Sequence, residues 1–228
     1  MYPLVLLPGM NCTEDLWLGA GLDDAIHPVL SKESVDAQVD ALLEQLPEVF
    51  VVAGISLGAI VGMALALSAP QRIAGICLVS TNANAPTPMQ YDGWNDWIRR
   101  LDAGEDAGEL QQSILSGLLS PRSISDRPDL VERALRMGRE TGAARLRAQL
   151  RMQGSRVDLL GRLSSLRAPA LVVSGRDDEI CRPGFHTEIA SAIPRARLVS
   201  YDAGHLLPME RPHEFGHLLK SWQAQQRA

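Results

Sequence analysis

The sequence predicts an α/β fold, a mostly parallel central sheet flanked by helices, with one helical insertion. Three observations carry this. Short apolar, β-branched runs alternate with helical patterns over residues 1–84 and again over 166–228, and such alternation demands crossovers and therefore parallel strands. Residues 85–165 break that rhythm, with few β-branched residues and amphipathic helical spacing. Four short motifs each fall just past the end of a predicted strand, where open parallel sheets place their sites. The chain has 228 residues, 46% of them hydrophobic, enough to bury one sizeable core.

The elements follow in order. Leu4-Val5-Leu6-Leu7 reads as a strand that opens into a sharp turn, Pro8-Gly9-Met10-Asn11. A helix near 14–20 and a weak strand near 26–30 come next. A helix over about 33–46 takes Ser31 as its N-cap; Ser34 stands where a capping box wants Glu or Gln, so no box is expected. Val49-Phe50-Val51-Val52 leads a strand over 49–53, and small apolar residues continue as a helix over 57–69. Between them lies Gly54-Ile55-Ser56-Leu57-Gly58. A side chain at either glycine would clash in so tight a strand-to-helix turn, and the turn lifts the Ser56 hydroxyl above the sheet edge. A strand over 73–79 ends at Ser80-Thr81-Asn82. The insertion then starts at Ala85-Pro86-Thr87-Pro88. It places Trp94, Trp97, Ile98 and Leu101 at helical spacing, followed by Leu130 to Met152 with interleaved arginines. Its position at the carboxyl end of the sheet predicts a lid over Ser56. Ala170 to Ser174 is a buried strand followed by Gly175-Arg176-Asp177-Asp178, and Ala196 to Ser200 is another, followed by Asp202-Ala203-Gly204-His205. About six strands are expected. The core is assigned to 1–84 and 166–228, the lid to 85–165.

A nucleophilic serine needs a base, the base an orienting acid, and the oxyanion hydrogen-bond donors. The order Ser, Asp, His and the motifs Leu6-Leu7-Pro8-Gly9-Met10, Gly54-Ile55-Ser56-Leu57-Gly58, Val173-Ser174-Gly175-Arg176-Asp177-Asp178 and Ala203-Gly204-His205-Leu206-Leu207-Pro208-Met209-Glu210-Arg211-Pro212 make the chain resemble the α/β-hydrolase-fold serine hydrolases over nearly its whole length. It is similar to the esterase- and lactonase-like members, as a small one with a helical lid. Larger relatives usually carry an antiparallel hairpin before the first strand, so a trimmed version is expected. By this resemblance Ser56 is the nucleophile, His205 the base and Asp178 the acid, with the Met10 and Leu57 amides as the oxyanion hole. The residues alone leave Asp177 and Asp178 both open; the resemblance favours Asp178, with Asp177 stabilising the turn. Some relatives take the acid from the end of the preceding core strand, but residues 80–84 hold no carboxylate. Pro8 and Ile55 stand where many relatives have histidine, which blurs the subfamily and leaves the triad intact.

Composition narrows the class. A net charge of −5 argues against nucleic acid as a partner. Cys12, Cys77 and Cys181 cannot all pair and lack zinc-ligand spacing, which fits buried thiols in a reducing compartment. With no visible signal peptide or membrane-span-length apolar window, a soluble, cytoplasmic protein is expected. His213-Glu214-Phe215-Gly216-His217 matches a zinc-protease pattern, yet the eleven residues after it offer no His, Asp or Glu as a third ligand, so no metal and no cofactor are assigned. His27 and His186 read as surface or helix residues. Arg133, Arg136, Arg139, Arg145, Arg147 and Arg151 read as a solvated helix face paired with Glu132 and Glu140, more than as an anion site. Met89, Tyr91, Trp94 and Trp97 suit an acyl pocket as well as they suit packing of the lid on the core.

The resemblance implies a serine hydrolase that cleaves a carboxylic ester or lactone of a small-molecule acyl substrate through an acyl-enzyme. The alternatives are a thioesterase or C–C bond hydrolase on the same triad, or a receptor-like member that only binds ligand. Serine at the elbow sets aside dehalogenase and epoxide-hydrolase chemistry, which use a carboxylate there. Lys32 and Lys220, the only lysines, lie away from the motifs, against a lysine-dependent lyase. Ester or lactone comes first because the lid looks apolar and no clamp for a charged substrate is evident.

Overall fold

The computed structural model describes residues 1–226. Five strands form one sheet in the order β1 (Leu4–Leu7), β2 (Phe50–Ile55), β3 (Ile73–Val79), β4 (Ala170–Gly175) and β5 (Ala196–Tyr201), and every neighbouring pair is parallel. The sheet has five strands rather than about six because the weak strand near 26–30 reduces to a single parallel bridge, Val5 to Ile26. Leu6 and Ile26 still exchange backbone hydrogen bonds through Leu6 N–H to Ile26 O (2.9 Å) and Ile26 N–H to Leu4 O (2.8 Å), so this segment lies on the outer side of β1. The chain therefore leaves β1 in one direction and returns to β2 on its other side. That reversal is a topological switch point, where crossovers diverge and open a crevice at the carboxyl ends of the strands.

Alternation along each strand sends side chains to two layers. Val5, Leu7, Phe50, Val52, Ile76 and Leu78 face one layer, which holds residues of α1 (Val35–Gln45), α2 (Leu57–Ser68) and, further along the chain, the buried Ile189. Leu4, Leu6, Val51, Ala53, Cys77 and Val79 face the other, which holds Leu16, Trp17, Phe215, Leu219 and Trp222. Both layers are apolar, so the strands read as unbroken hydrophobic runs rather than as alternating ones.

Helix α1 starts later than its sequence suggests. Gln38 Oε1 accepts from the Ser31 and Lys32 amides (2.9 and 3.1 Å) and holds that stretch outside the helix, so Ser34 becomes the N-cap, accepting from Ala37 N–H. The expected helix near 14–20 is a short 3₁₀ turn, Glu14–Trp17.

Between β3 and β4 the chain is helical: α3 (Pro88–Asp102), α4 (Ala107–Ser113), α5 (Leu115–Leu118), α6 (Pro121–Asp126), α7 (Pro128–Gly154) and a 3₁₀ segment, Leu160–Ser165. Thr87 and Gln90 form a capping box on α3, and Asp106 and Glu109 form one on α4. Helix α7 breaks at Gly142, whose φ of 72° and ψ of 162° leave the helical region. Leu101, Ala107, Leu110, Leu146 and Leu150 give this insert a small core of its own, with Trp94, Trp97 and Met10 packed against it. The chain ends with α8 (Pro183–Ala192), α9 (Leu207–Glu210) and α10 (Pro212–Gln223). No helix among the described residues is long and apolar enough to cross a membrane.

Candidate active site

Ser56 sits between β2 and α2 with φ 53° and ψ −118°, a left-handed conformation that a non-glycine residue holds only under constraint. The constraint is crowding. A Cβ on Gly54 would come within 2.5 Å of Gly58 backbone atoms, and a Cβ on Gly58 within 2.2 Å of the Leu7 carbonyl oxygen. Strand, turn and helix thus meet with no room for side chains, as the sequence implies. The Ala59 and Ile60 amides donate to Ser56 O, while the Leu57 amide, at the first helical position, precedes any intrahelical partner.

The facing turn is held from above. Asn11, buried and left-handed at φ 57°, donates its backbone N–H to Gln149 Oε1 (2.8 Å), and its Nδ2 donates to Ala107 O and Gln111 Oε1 (both 2.9 Å). These bonds tie the turn that carries Met10 to α4 and α7. Asparagine tolerates this backbone region, and its Nδ2 supplies two donors to α4 that an aliphatic residue would lack.

His205 and Asp178 are both buried, and His205 Nδ1 lies 3.0 Å from each carboxylate oxygen of Asp178. Asp178 Oδ1 also accepts from the Ile180 and Cys181 amides (3.0 and 2.8 Å), which fix the carboxylate's orientation. Asp177 is exposed and meets β5's following loop only through its amide, which donates to Ala203 O. Of the two carboxylates, Asp178 faces the imidazole. With Nδ1–H donated to a carboxylate, the neutral ring presents a free lone pair at Nε2.

Gly9, Met10, Ser56 and His205 line one cavity of about 290 Å³ from the sheet side. The insert lines it from the other side with Trp94, Trp97, Ile114, Leu118, Gln153 and the following Arg156. Trp94 and Trp97 pack against the insert's own small core and also face the cavity. Met89 is 83% exposed, and the Tyr91 hydroxyl donates to Gly154 O (2.9 Å) while its ring meets Trp94 edge-on; neither lines the cavity.

Several residues of the site escape sequence reasoning. His186, expected at the surface or on a helix, lies on α8 but is fully buried. Its Nε2 accepts from Thr81 N–H (2.9 Å) and its Nδ1 meets Ser174 Oγ (2.9 Å), while Thr81 Oγ1 donates to Ser56 O (3.1 Å). Burial pushes its pKa down to about 4, against a smaller upward pull from Asp178. Glu210 belongs to a quoted motif, yet nothing in sequence reveals that it accepts from Gly204 N–H (2.7 Å) and from the Ser120 and Ser123 hydroxyls of the insert. Arg156 looks in sequence like one more arginine after a basic helix. Cys12 and Cys181 line the cavity, and burial pushes each thiol up to about 12; Cys77 lies in the sheet. On α10, His213 and His217 are exposed, and among the described residues no cluster of three or more His, Cys, Asp or Glu could hold a metal ion.

Residues 7–212 match the model of a family described by the alpha/beta hydrolase fold. The chain belongs to that family. This alpha/beta hydrolase is 28% identical over 192 residues to a pimeloyl-acyl-carrier-protein methyl ester esterase of Nitrosomonas europaea, covering 80% of this chain and 75% of the relative. It is 23% identical over 194 residues to a 3-oxoadipate enol-lactonase of Acinetobacter baylyi, covering 83% of this chain and 69% of that one. A malate-bound thermophilic esterase of Thermogutta terrifontis superposes with a TM-score of 0.90 over 100% of this chain and 91% of its own, at 22% identity, a likeness of fold.

Proposed function

We propose that the protein is a serine hydrolase that opens a carboxylic ester or lactone through an acyl-enzyme, with Ser56 as nucleophile, His205 as base and Asp178 as orienting acid. The observation that carries this reading is a buried Asp178–His205 pair and a serine held at positive φ, with Ser56 and His205 both on the wall of one cavity. The names of the esterase and enol-lactonase relatives point to the same bond class.

Ser56 Oγ attacks the acyl carbonyl as His205 Nε2 takes its proton. Asp178 keeps the proton of the other ring nitrogen in place and stabilises the imidazolium. The Met10 and Leu57 amides receive the oxyanion, where one such donor is worth about 3–4 kcal/mol. His205 then passes its proton to the departing alkoxide. Water activated by the same imidazole releases the acid and restores Ser56. The helical insert serves as the lid that keeps bulk water from the acyl-enzyme.

The test is Ser56→Ala, assayed on short p-nitrophenyl and methyl esters and lactones, with fluorophosphonate labelling of the wild-type protein. Turnover should fall roughly 10⁶-fold and labelling should vanish in the variant. Turnover at the wild-type level in Ser56→Ala would end the proposal. Labelling of Ser56 without turnover of any ester or lactone would leave a ligand-binding member of the family in its place.

A further inference from the structure

The sequence shows no clamp for a charged substrate, but the cavity wall carries a buried arginine. Arg156 follows the end of α7 and lines the cavity together with Ser56 and His205, yet only 7% of it is exposed. Among the described residues it is the only Lys, Arg, Asp or Glu on the cavity wall. Its hydrogen-bond partners are all neutral: Gln153 Oε1 on Nη1 (2.8 Å), and Asn82 Oδ1 (3.2 Å) and Asn84 O (3.0 Å) on Nη2. Nε is buried with no partner at all, and the Trp94 ring lies under the guanidinium at 5.6 Å. Among the described residues no carboxylate forms an ion pair with it.

Many other arginines of the insert, at its surface, do pair with carboxylates. Arg133 pairs with Asp15, Arg139 with Glu132, Arg147 with Asp102 and Arg151 with Glu33. Carboxylates are thus within reach of the insert's surface, and the one arginine turned to the cavity is left without one. A guanidinium taken out of water without a counter-charge is costly, and burial accordingly pulls its pKa down. Beside it, Gln153 spends its carbonyl on Arg156, and its Nε2 has only the Met10 thioether at 4.0 Å, a weak acceptor. Two under-used donors, one of them cationic, therefore share an otherwise largely apolar cavity with the nucleophile.

We propose that Arg156, assisted by Gln153, binds a free carboxylate on the substrate, so that the preferred substrate is a short ester or lactone that also carries a carboxylate group. This inference rests on the hydrolase reading above and narrows its substrate class. A carboxylate suits the site because its two planar oxygens match a guanidinium and its single charge balances a single cation. The cavity of about 290 Å³ lies near the small end of the range for ligand pockets, which suits a compact substrate.

The competing account makes Arg156 a tie between the insert and the loop after β3, through Asn82 and Asn84, with no part in recognition. The two accounts separate on matched substrates. Monomethyl and dimethyl esters of succinic, glutaric and adipic acids are compared in the wild type and in Arg156→Gln. On the proposal the wild type favours the monoester by at least tenfold in kcat/KM, and Arg156→Gln loses about 10- to 100-fold on the monoester, as expected for a hydrogen bond to a charged group. Turnover of the diester stays within threefold. Equal losses on both substrates, or no wild-type preference, would overturn it. Diester turnover with no monoester preference defeats this inference alone, whereas no turnover of any ester by a labelled Ser56 defeats the hydrolase reading. Binding decides independently of catalysis and of whether Arg156→Gln folds: glutarate should raise the wild-type Tm at concentrations where glutaramide does not. Equal shifts from the two, or none from either, would overturn the carboxylate site.

Discussion

At the scale of single residues, the least expected finding is a buried histidine that anchors Thr81, whose hydroxyl in turn bonds the Ser56 carbonyl. His186 Nε2 accepts the Thr81 amide, so its ring is the Nδ1–H tautomer, with Ser174 Oγ as the matching partner. Protonating Nε2 would destroy that acceptor, and with it the anchor of the residue whose hydroxyl holds Ser56 O. The ring's pKa is about 4 in the fold against about 6.5 in an unfolded chain. Between those values the unfolded state binds more protons, so stability is full above pH 6.5 and is lost as pH falls toward 4. The loss attributable to this ring is roughly 3 kcal/mol. Urea titrations at pH 7 and pH 4.5 should show it in the wild type and show a flatter profile in His186→Gln; identical pH profiles would refute the assignment. No sequence pattern predicts this role. His186 sits on a helix that is unremarkable in sequence, and its partners are 12 and 105 residues away. Arg156 escapes for the same reason, since what distinguishes it from its paired neighbours is where the chain folds its charge, not its type or spacing.

At the scale of elements, local patterns were a good guide wherever local chemistry sets the backbone. The Gly54-to-Gly58 turn is legible because only glycine fits two positions that close, and β2 and α2 flank it at Phe50–Ile55 and Leu57–Ser68. Gly58→Ala tests this directly. The new methyl would meet the Leu7 carbonyl, forcing β1 and α2 apart, so stability should drop by about 3 kcal/mol and serine labelling should fall with it. A variant as stable and as readily labelled as the wild type would contradict that packing. Patterns were a poorer guide where a tertiary partner decides. Ser31 loses the N-cap because Gln38 claims its amide, and the segment near 26–30 is held to β1 by two hydrogen bonds rather than a ladder. Asp178 stands between these cases: spacing left two aspartates open, and burial against His205 distinguishes them.

At the scale of the whole molecule, insert and sheet meet through polar clamps as well as through the cavity wall. Glu210 grips Ser120 and Ser123 of the insert and, through the Gly204 amide, the residue next to His205. Glu210→Ala would leave the buried Gly204 and Ser120 amides without their carboxylate acceptor, a loss of about 3 kcal/mol, or roughly 6–12 °C in Tm. Because the clamp reaches the imidazole's loop, kcat should fall as well, and calorimetry beside ester kinetics would show whether both effects occur. Unchanged Tm and kcat would make the clamp incidental. The same cavity wall also bears two sulfur atoms, Cys12 and Cys181, whose thiols burial keeps protonated far above neutral pH. On the proposed mechanism, a reactive inhibitor drawn inside would pass two muted sulfurs on its way to the Ser56 hydroxyl, which would favour warheads that prefer alcohols over thiolates.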